Sequence, residues 1–152
     1  DTWPGDTHQK GGAPTWLTGA YDPELDMLFV GTGNGTPWNQ KYRSPGGGDN
    51  LYLASIVAID VKTGEYAWHY QVNPENSHDF NDAMDIELAD IEIGGKMRSV
   101  LMHAPKNGFF YALDRETGKF ISVRSRTSRI PALMISPRHP RACALVARRS
   151  PK

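Results

Sequence analysis

Residues 78–81 read His-Asp-Phe-Asn, a polar cluster that no hydrophobic core requires. The carboxylate of Asp79 could take a proton from a substrate hydroxyl, and the same residue type in a loop also closes an Asx turn on its own backbone. His78 is a second group able to act as a base. Three further positions carry useful residue types. Asn34 lies in Gly31-Thr32-Gly33-Asn34, where its amide oxygen could complete a cation site built from hard oxygen ligands or simply form a turn. Lys106, in His103-Ala104-Pro105-Lys106-Asn107-Gly108, sets a positive charge in a loop, either facing solvent or opposite a group that gathers electron density. Trp16 offers a large aromatic face, for packing in a core or for stacking on a planar ring.

These residues must be positioned by the elements around them, and the chain announces those elements by repetition. Val57–Glu65 reads VAIDVKTGE and Tyr111–Lys119 reads YALDRETGK, 54 positions apart. Ala58 matches Ala112, Asp60 matches Asp114, Thr63 matches Thr117 and Gly64 matches Gly118. Such a period marks a repeat architecture whose units bury their faces against neighbours, and a partial unit precedes the two clear ones. Within each unit Asp can bond its own downstream backbone and Gly supplies a positive φ, which predicts a hairpin turn between two strands. Short runs at 26–31, 55–60, 66–71, 98–103, 108–113 and 120–122, bounded by Gly, Pro, Asn and Asp, read as strands. Tyr21-Asp22-Pro23-Glu24 is a turn signal. Residues 86–90 (IELAD) are compatible with a helical turn, whereas 91–96 read more naturally as a hairpin. A strand, this turn and a strand carrying Trp68 make one edge of a four-stranded propeller blade.

The net charge is zero, with 17 Lys and Arg against 17 Asp and Glu, but it is unevenly spread. Residues 123–152 hold eight of the basic residues, four prolines and no acid. They lack helical or strand periodicity and read as a disordered or non-native tail rather than a nucleic-acid-binding arm. Cys143 is the single cysteine, so the chain forms no internal disulfide and suggests no thiolate metal site. No run approaches the length of a membrane span and no signal peptide opens the chain. The start, DTWPGD, looks like the middle of a protein.

Seven pieces, in one order, carry a family resemblance. They are WPGD at 3–6, GGAPTW at 11–16, YDPEL at 21–25, GTGNGTPWN at 31–39, GGDN at 47–50, HDF at 78–80, and VLMHAPKNGFFYALDRETGK at 100–119. Together they resemble the quinoprotein alcohol dehydrogenases, which carry pyrroloquinoline quinone (PQQ) and a metal on an eight-bladed β-propeller. The resemblance covers residues 2–122 and implies an internal fragment of about two to two and a half blades. The expected domains are therefore a propeller fragment, 1–122, and a tail, 123–152.

What the resemblance implies for the site is specific. Asp79 is expected as the general base and as a ligand of the cation, Asn34 as a second ligand, and Lys106 as the charge bonding the quinone oxygens. Trp16 forms the floor under the cofactor, and Thr15 bonds one of its carboxylates. His78 departs from the bulky residue, often Trp, that precedes the family's base. Members that use a lanthanide have an Asp two positions after the base. Here that position is Asn81, with Asp82 next, which favours Ca2+. Trp68 matches the tryptophan that docks one blade on another, and Trp3 and Trp38 are also read as structural. The family implies an alcohol substrate, hydride transfer to PQQ, a cytochrome c-type electron acceptor and a periplasmic location. A Glu metal ligand, an Arg near the quinone and an adjacent-cysteine disulfide would lie outside this chain. Two rivals remain open on sequence: a non-enzymatic scaffold built from the same propeller repeats, and an inactive truncated gene product.

Overall fold

The structure, a computed structural model, describes residues 2–125. Most of the basic tail, with Cys143, lies outside the described residues. The fold is all-β: two four-stranded antiparallel sheets, each a meander in sequence order, as a propeller blade requires. The first contains β1 (Ala20–Asp22), β2 (Met27–Gly31), β3 (Ser55–Asp60) and β4 (Tyr66–Gln71). The second contains β5 (Ile86–Ile93), β6 (Lys96–His103), β7 (Phe109–Asp114) and β8 (Phe120–Ser125). β8 thus continues past Ser122, where the motif resemblance ends. The helical content among the described residues is one α-helical turn, α1 (Gln40–Arg43), and a 3-10 turn at Thr7–Lys10.

The backbone bonds of the repeated turn recur in both units, and in the second Thr117 Oγ1 also donates to Asp114 Oδ1 at 2.6 Å. Gly64 N–H donates to Asp60 O at 2.8 Å, and Gly118 N–H donates to Asp114 O at 2.8 Å. Thr63 N–H and Thr117 N–H each donate to the preceding aspartate's Oδ1 at 2.9 Å. Both units shift register at the same point, Ala58/Ile59 in one and Ala112/Leu113 in the other. Residues 86–90 are strand throughout, not a helical turn. The hairpin reading of 91–96 holds, with Ile93 opposite Lys96 across Gly94-Gly95. The first half of the Tyr21–Glu24 signal ends β1, a short strand held to β2 by Ala20–Phe29, Tyr21–Leu28 and Asp22–Met27 pairs, and the turn itself spans 23–26.

The two sheets share one core. Phe29, Ile56, Ala58 and Trp68 of the first pack with Leu101 and Leu113 of the second. Trp68 and Phe29 rings lie 5.5 Å apart. Trp68 also rests on the second unit's turn, where a Cβ added to Gly118 would fall 2.5 Å from Cε3 of its ring. At the rim, the buried Arg115 guanidinium lies 2.8 Å from Asp22 and 2.8 Å from Glu24, with Asp90 at 3.5 Å. The Asp22 contact is ionic, since Nε and Oδ2 lie within reach without an aligned N–H···O bond. Trp3 packs over Gly11 and donates to Leu51 O, whereas Trp38, read as structural, is 60% exposed.

Gly64 and Gly118 have φ of 73° and 67°, so an alanine pays a similar backbone cost at either, while only Gly118 has a ring on it. Gly118→Ala is expected to destabilise the chain by about 2 kcal/mol more than Gly64→Ala, the cost of overpacking against Trp68. Urea unfolding midpoints of the two variants measure the difference, and equal midpoints would show that the ring does not rely on that glycine.

Candidate functional site

In a meander, successive connections alternate between the two ends of the sheet. The short turns at 23–26, 61–65, 94–95 and 115–119 therefore share one end, and the longer connections at 32–54, 72–85 and 104–108 share the other. Asn34, Asp79 and Lys106 all fall in that second set. Topology alone thus delivers three of the sequence-predicted residues to one end of the two blades, leaving the repeated turns for packing.

Local contacts join these loops. The 11–16 segment lies along 33–36: Gly33 N–H donates to Pro14 O at 2.9 Å, Ala13 N–H to Asn34 O at 3.1 Å and Thr36 N–H to Gly11 O at 3.0 Å. This brings Trp16 over Gly33, where a Cβ would meet the ring at 2.5 Å. Trp16 remains 51% exposed, with Thr15 exposed beside it. The ring therefore has one supported face and open area, which suits a stacking platform better than a core position. Asn34 donates from Nδ2 to Gly35 O at 3.2 Å, which leaves its oxygen as the end able to meet a cation.

Asp79 has a φ of 55°, the left-handed region that costs a residue with a Cβ. Its turn is held from both sides by Asn76. Asn76 Nδ2 donates to Phe80 O at 2.6 Å, and His78 N–H donates to Asn76 Oδ1 at 2.9 Å. Asn76 is itself fixed by Arg43, whose buried guanidinium donates to Asn76 O at 2.7 Å, to Pro37 O and Trp38 O at 2.7 Å each, and to Asn50 Oδ1. Desolvation pushes the Arg43 pKa down, yet these oxygens meet its donors. Gly35 makes room for that guanidinium, since a Cβ there would sit 2.5 Å from one of its nitrogens. The His78 ring stacks on Phe80 with centroids 5.4 Å apart. Lys106 Nζ donates to Asp79 O at 2.9 Å and lies 3.4 Å from Asp79 Oδ2.

Behind this surface is a buried polar layer. Asp82 and His103 are fully enclosed, with Asp82 Oδ1 3.0 Å from His103 Nε2. His103 Nδ1 lies 3.1 Å from Asp85 O. A carbonyl only accepts, so Nδ1 carries a proton, and one further proton lies between Nε2 and the carboxyl. Burial pushes the Asp82 carboxyl pKa up, opposed by its bond to His103. Tyr70 is raised to about 12 by burial, with the Asp82 charge adding to the shift. Asn81 is buried too, and its Oδ1 has no hydrogen-bond partner.

Sequence reading brought Trp16, Asn34, Asp79 and Lys106 into view but missed Arg43, Asn76 and the Asp82–His103 pair. Arg43, at the end of the single turn α1, and Asn76, in a loop, lie 33 positions apart and carry no periodic signal. His103 was detectable in principle: it shares a strand face with the buried Leu101, two residues away, where a histidine needs a partner.

As a donor set, Asp79 and Asn34 offer hard oxygens suited to Ca2+ or a similar cation. Among the described residues no three His, Cys, Asp or Glu side chains gather to hold a metal, so the set is partial. An exposed indole face, an ammonium and a hydroxyl-bearing Thr15 fit a planar, anionic, oxygen-rich cofactor.

The model of the family described as PQQ, "Glucose/ethanol/alcohol dehydrogenase, beta-propeller domain", matches residues 1–129. The chain belongs to this family. The quinohemoprotein alcohol dehydrogenase ADH IIB of Pseudomonas putida is 63% identical over 124 residues, which cover 80% of this chain and 18% of that protein. The crystal structure of the quinohemoprotein alcohol dehydrogenase from Comamonas testosteroni superposes with a TM-score of 0.77 at 52% identity, over 82% of this chain and 19% of that one. A europium-containing methanol dehydrogenase superposes with a TM-score of 0.77 at 39% identity, over 82% of this chain and 21% of that one. The chain thus spans about a fifth of the length of the PQQ-family proteins it matches.

The Asn76 bridge generates a local prediction. Asn76→Ala removes both side-chain bonds that hold the Asp79 turn, at a cost of about 1–3 kcal/mol. Hydrogen exchange at the His78 amide should accelerate while the amides of β6 keep their protection. Unchanged exchange at His78 would show that the turn does not depend on Asn76.

Proposed function

We propose that this chain is part of a periplasmic quinoprotein alcohol dehydrogenase and contributes one wall of its PQQ and cation site. The observation that carries the reading is the meeting of Lys106 with Asp79 at the loop end of two family-type blades, where the Asp82 amide also bonds Thr32 O, two residues before Asn34. PQQ, when bound, supplies the hydride-accepting carbonyl, and the cation polarises it.

The chain's own residues would do the rest. The Asp79 carboxylate accepts the proton of the alcohol hydroxyl as hydride leaves the carbon, provided that it is ionised and aimed, and the held turn aims it. Lys106 supplies a fixed positive charge beside the electron-accepting group. Trp16 supports the ring by stacking, and Thr15 bonds a carboxylate. Asn34 and Asp79 give oxygens to the cation. Ca2+ is favoured over a lanthanide because position 81 is a neutral Asn, which supplies one carboxylate fewer to a trivalent ion. Strands β1 to β8 supply two blades in this reading, the last running to Ser125 rather than stopping at 122, and electrons pass to a cytochrome c-type acceptor, in keeping with the quinohemoprotein names of relatives.

The test uses a complete site. Residues 2–125 are exchanged for the matching segment of the Pseudomonas putida ADH IIB, loaded with PQQ and Ca2+. Asp79→Asn in this exchange protein is expected to lower kcat by about 10²–10⁴-fold, the usual contribution of a positioned base. The absorbance of bound PQQ should persist. A variant that keeps PQQ and turns over at the unsubstituted rate would remove Asp79 from the proposed role.

A further inference from the structure

The Lys106–Asp79 contact cannot hold its own geometry. Its side chains are 42% and 31% exposed, and ion pairs of that kind contribute about 0–1 kcal/mol. Asp79 sits on a left-handed turn held locally by Asn76, and Lys106 on the five-residue connection 104–108 between buried Pro105 and Asn107, so each segment is ordered by itself but the pair does not fix the distance between them. Something less exposed must set their spacing.

Asp82 meets that requirement. It lies three residues beyond Asp79 and is tied to both neighbouring segments. Its amide donates to Thr32 O at 2.9 Å, two residues before Asn34. Its carbonyl occupies the space beside Gly31, where a Cβ would come within 1.7 Å. Its carboxyl meets His103 Nε2 at 3.0 Å, and His103 ends β6, three residues before Lys106. His103 is anchored in turn on Asp85 O. One enclosed residue therefore links the loops of Asn34, Asp79 and Lys106 with side chains at 0% exposure.

We propose that Asp82 and His103 form a buried positioning pair that sets the distance between Asp79 and Lys106. Neither residue touches the open face of the site. They act through the backbone of residues 79–82 and 103–106. The use of that spacing in catalysis rests on the dehydrogenase reading, whereas the spacing is a property of the chain and is measured without cofactor.

The test is limited reductive methylation of the full 152-residue chain, read lysine by lysine by peptide mass spectrometry. Lys106, held by Asp79, is expected to react about fivefold more slowly than the exposed Lys41 and Lys96. The double variant Asp82→Leu/His103→Met replaces the pair with apolar side chains of similar size, a change that buried ionic pairs often tolerate in stability. Lys106 should then approach the rate of the reference lysines while those stay constant. Asp82→Asn, whose amide can still donate to Nε2, should keep Lys106 within about twofold of its original rate. Asp82→Ser, too short to reach the ring, should free Lys106 and decides the matter if the double variant does not fold. Several results overturn the proposal: a Lys106 as reactive as the references in the unsubstituted chain, a Lys106 unmoved in a folded double or Ser variant, or a rise shared by all lysines, which marks a merely structural pair. None of these bears on whether Asp79 acts as base in the PQQ-loaded exchange protein, so the two ideas fail separately.

Discussion

A four-stranded blade cannot cover its own apolar faces, and the arrangement here follows from that constraint. The buried side chains of β2, β3 and β4 touch one another, as Phe29 and Trp68 do, but cannot enclose themselves within one sheet. They become a core only against Leu101 and Leu113 of the next. Trp68 makes the joint directional, because its ring needs a surface without a Cβ and the second unit's turn offers Gly118. The same glycine in the first unit, Gly64, faces open space. The repeat is thus a means of docking one blade on another as much as a way to turn a strand, and Arg115 with Asp22 and Glu24 reinforces the joint at its rim.

Docking at one end leaves the other end free of packing duty, and the candidate chemistry is gathered there. The loops at that end bury a few apolar side chains, Leu53, Ala54, Ala83 and Pro105, and are otherwise polar, so much of their order comes from hydrogen bonds. Two buried polar centres provide it. Arg43 orders the 37–50 loop and reaches across to Asn76. Asp82 with His103 joins the segment between β4 and β5 to the end of β6, just before the connection that carries Lys106. A buried polar centre is costly unless every group finds a partner. Arg43 nearly meets that condition. In the second centre Asp82 Oδ2 and Asn81 Oδ1 have no hydrogen-bond partner among the described residues, so the Asp82 carboxyl depends on its single bond to His103.

How much of this was legible in the sequence depended on whether the signal was local. The Asp-x-x-Thr-Gly turns were legible because a side chain and a glycine a few residues apart determine them, and both copies formed the same bonds. β5 was harder. Its Glu, Leu and Ala residues are good helix formers, and its exposed acidic positions blur the alternation that marks a strand. Pairing with all of β6 across Gly94-Gly95 overrode that propensity. β1, at three residues, is too short to carry a period at all. Asn34, Asp79, Lys106 and Trp16 were found through ordered motifs rather than through any rule of spacing. The residues that orient them were not found, since Arg43 to Asn76 and Asp82 to His103 are long-range pairs, each joining a loop residue to the last residue of α1 or β6.

Those supporting residues also bear on what a partial propeller can retain. Asp79 is 31% exposed and Trp16 51% exposed, so neither is shaped by its own burial. What shapes them is underneath: Gly33 below Trp16, Asn76 around the Asp79 turn, and Asp82 between the loops. All of those contacts lie within the two blades described. The geometry of this wall of the site is therefore encoded locally, while its closure over a cofactor depends on surfaces that would face it. A partial donor set with a fully supported scaffold is what such a division produces. The two blades described here order their own loop ends from within.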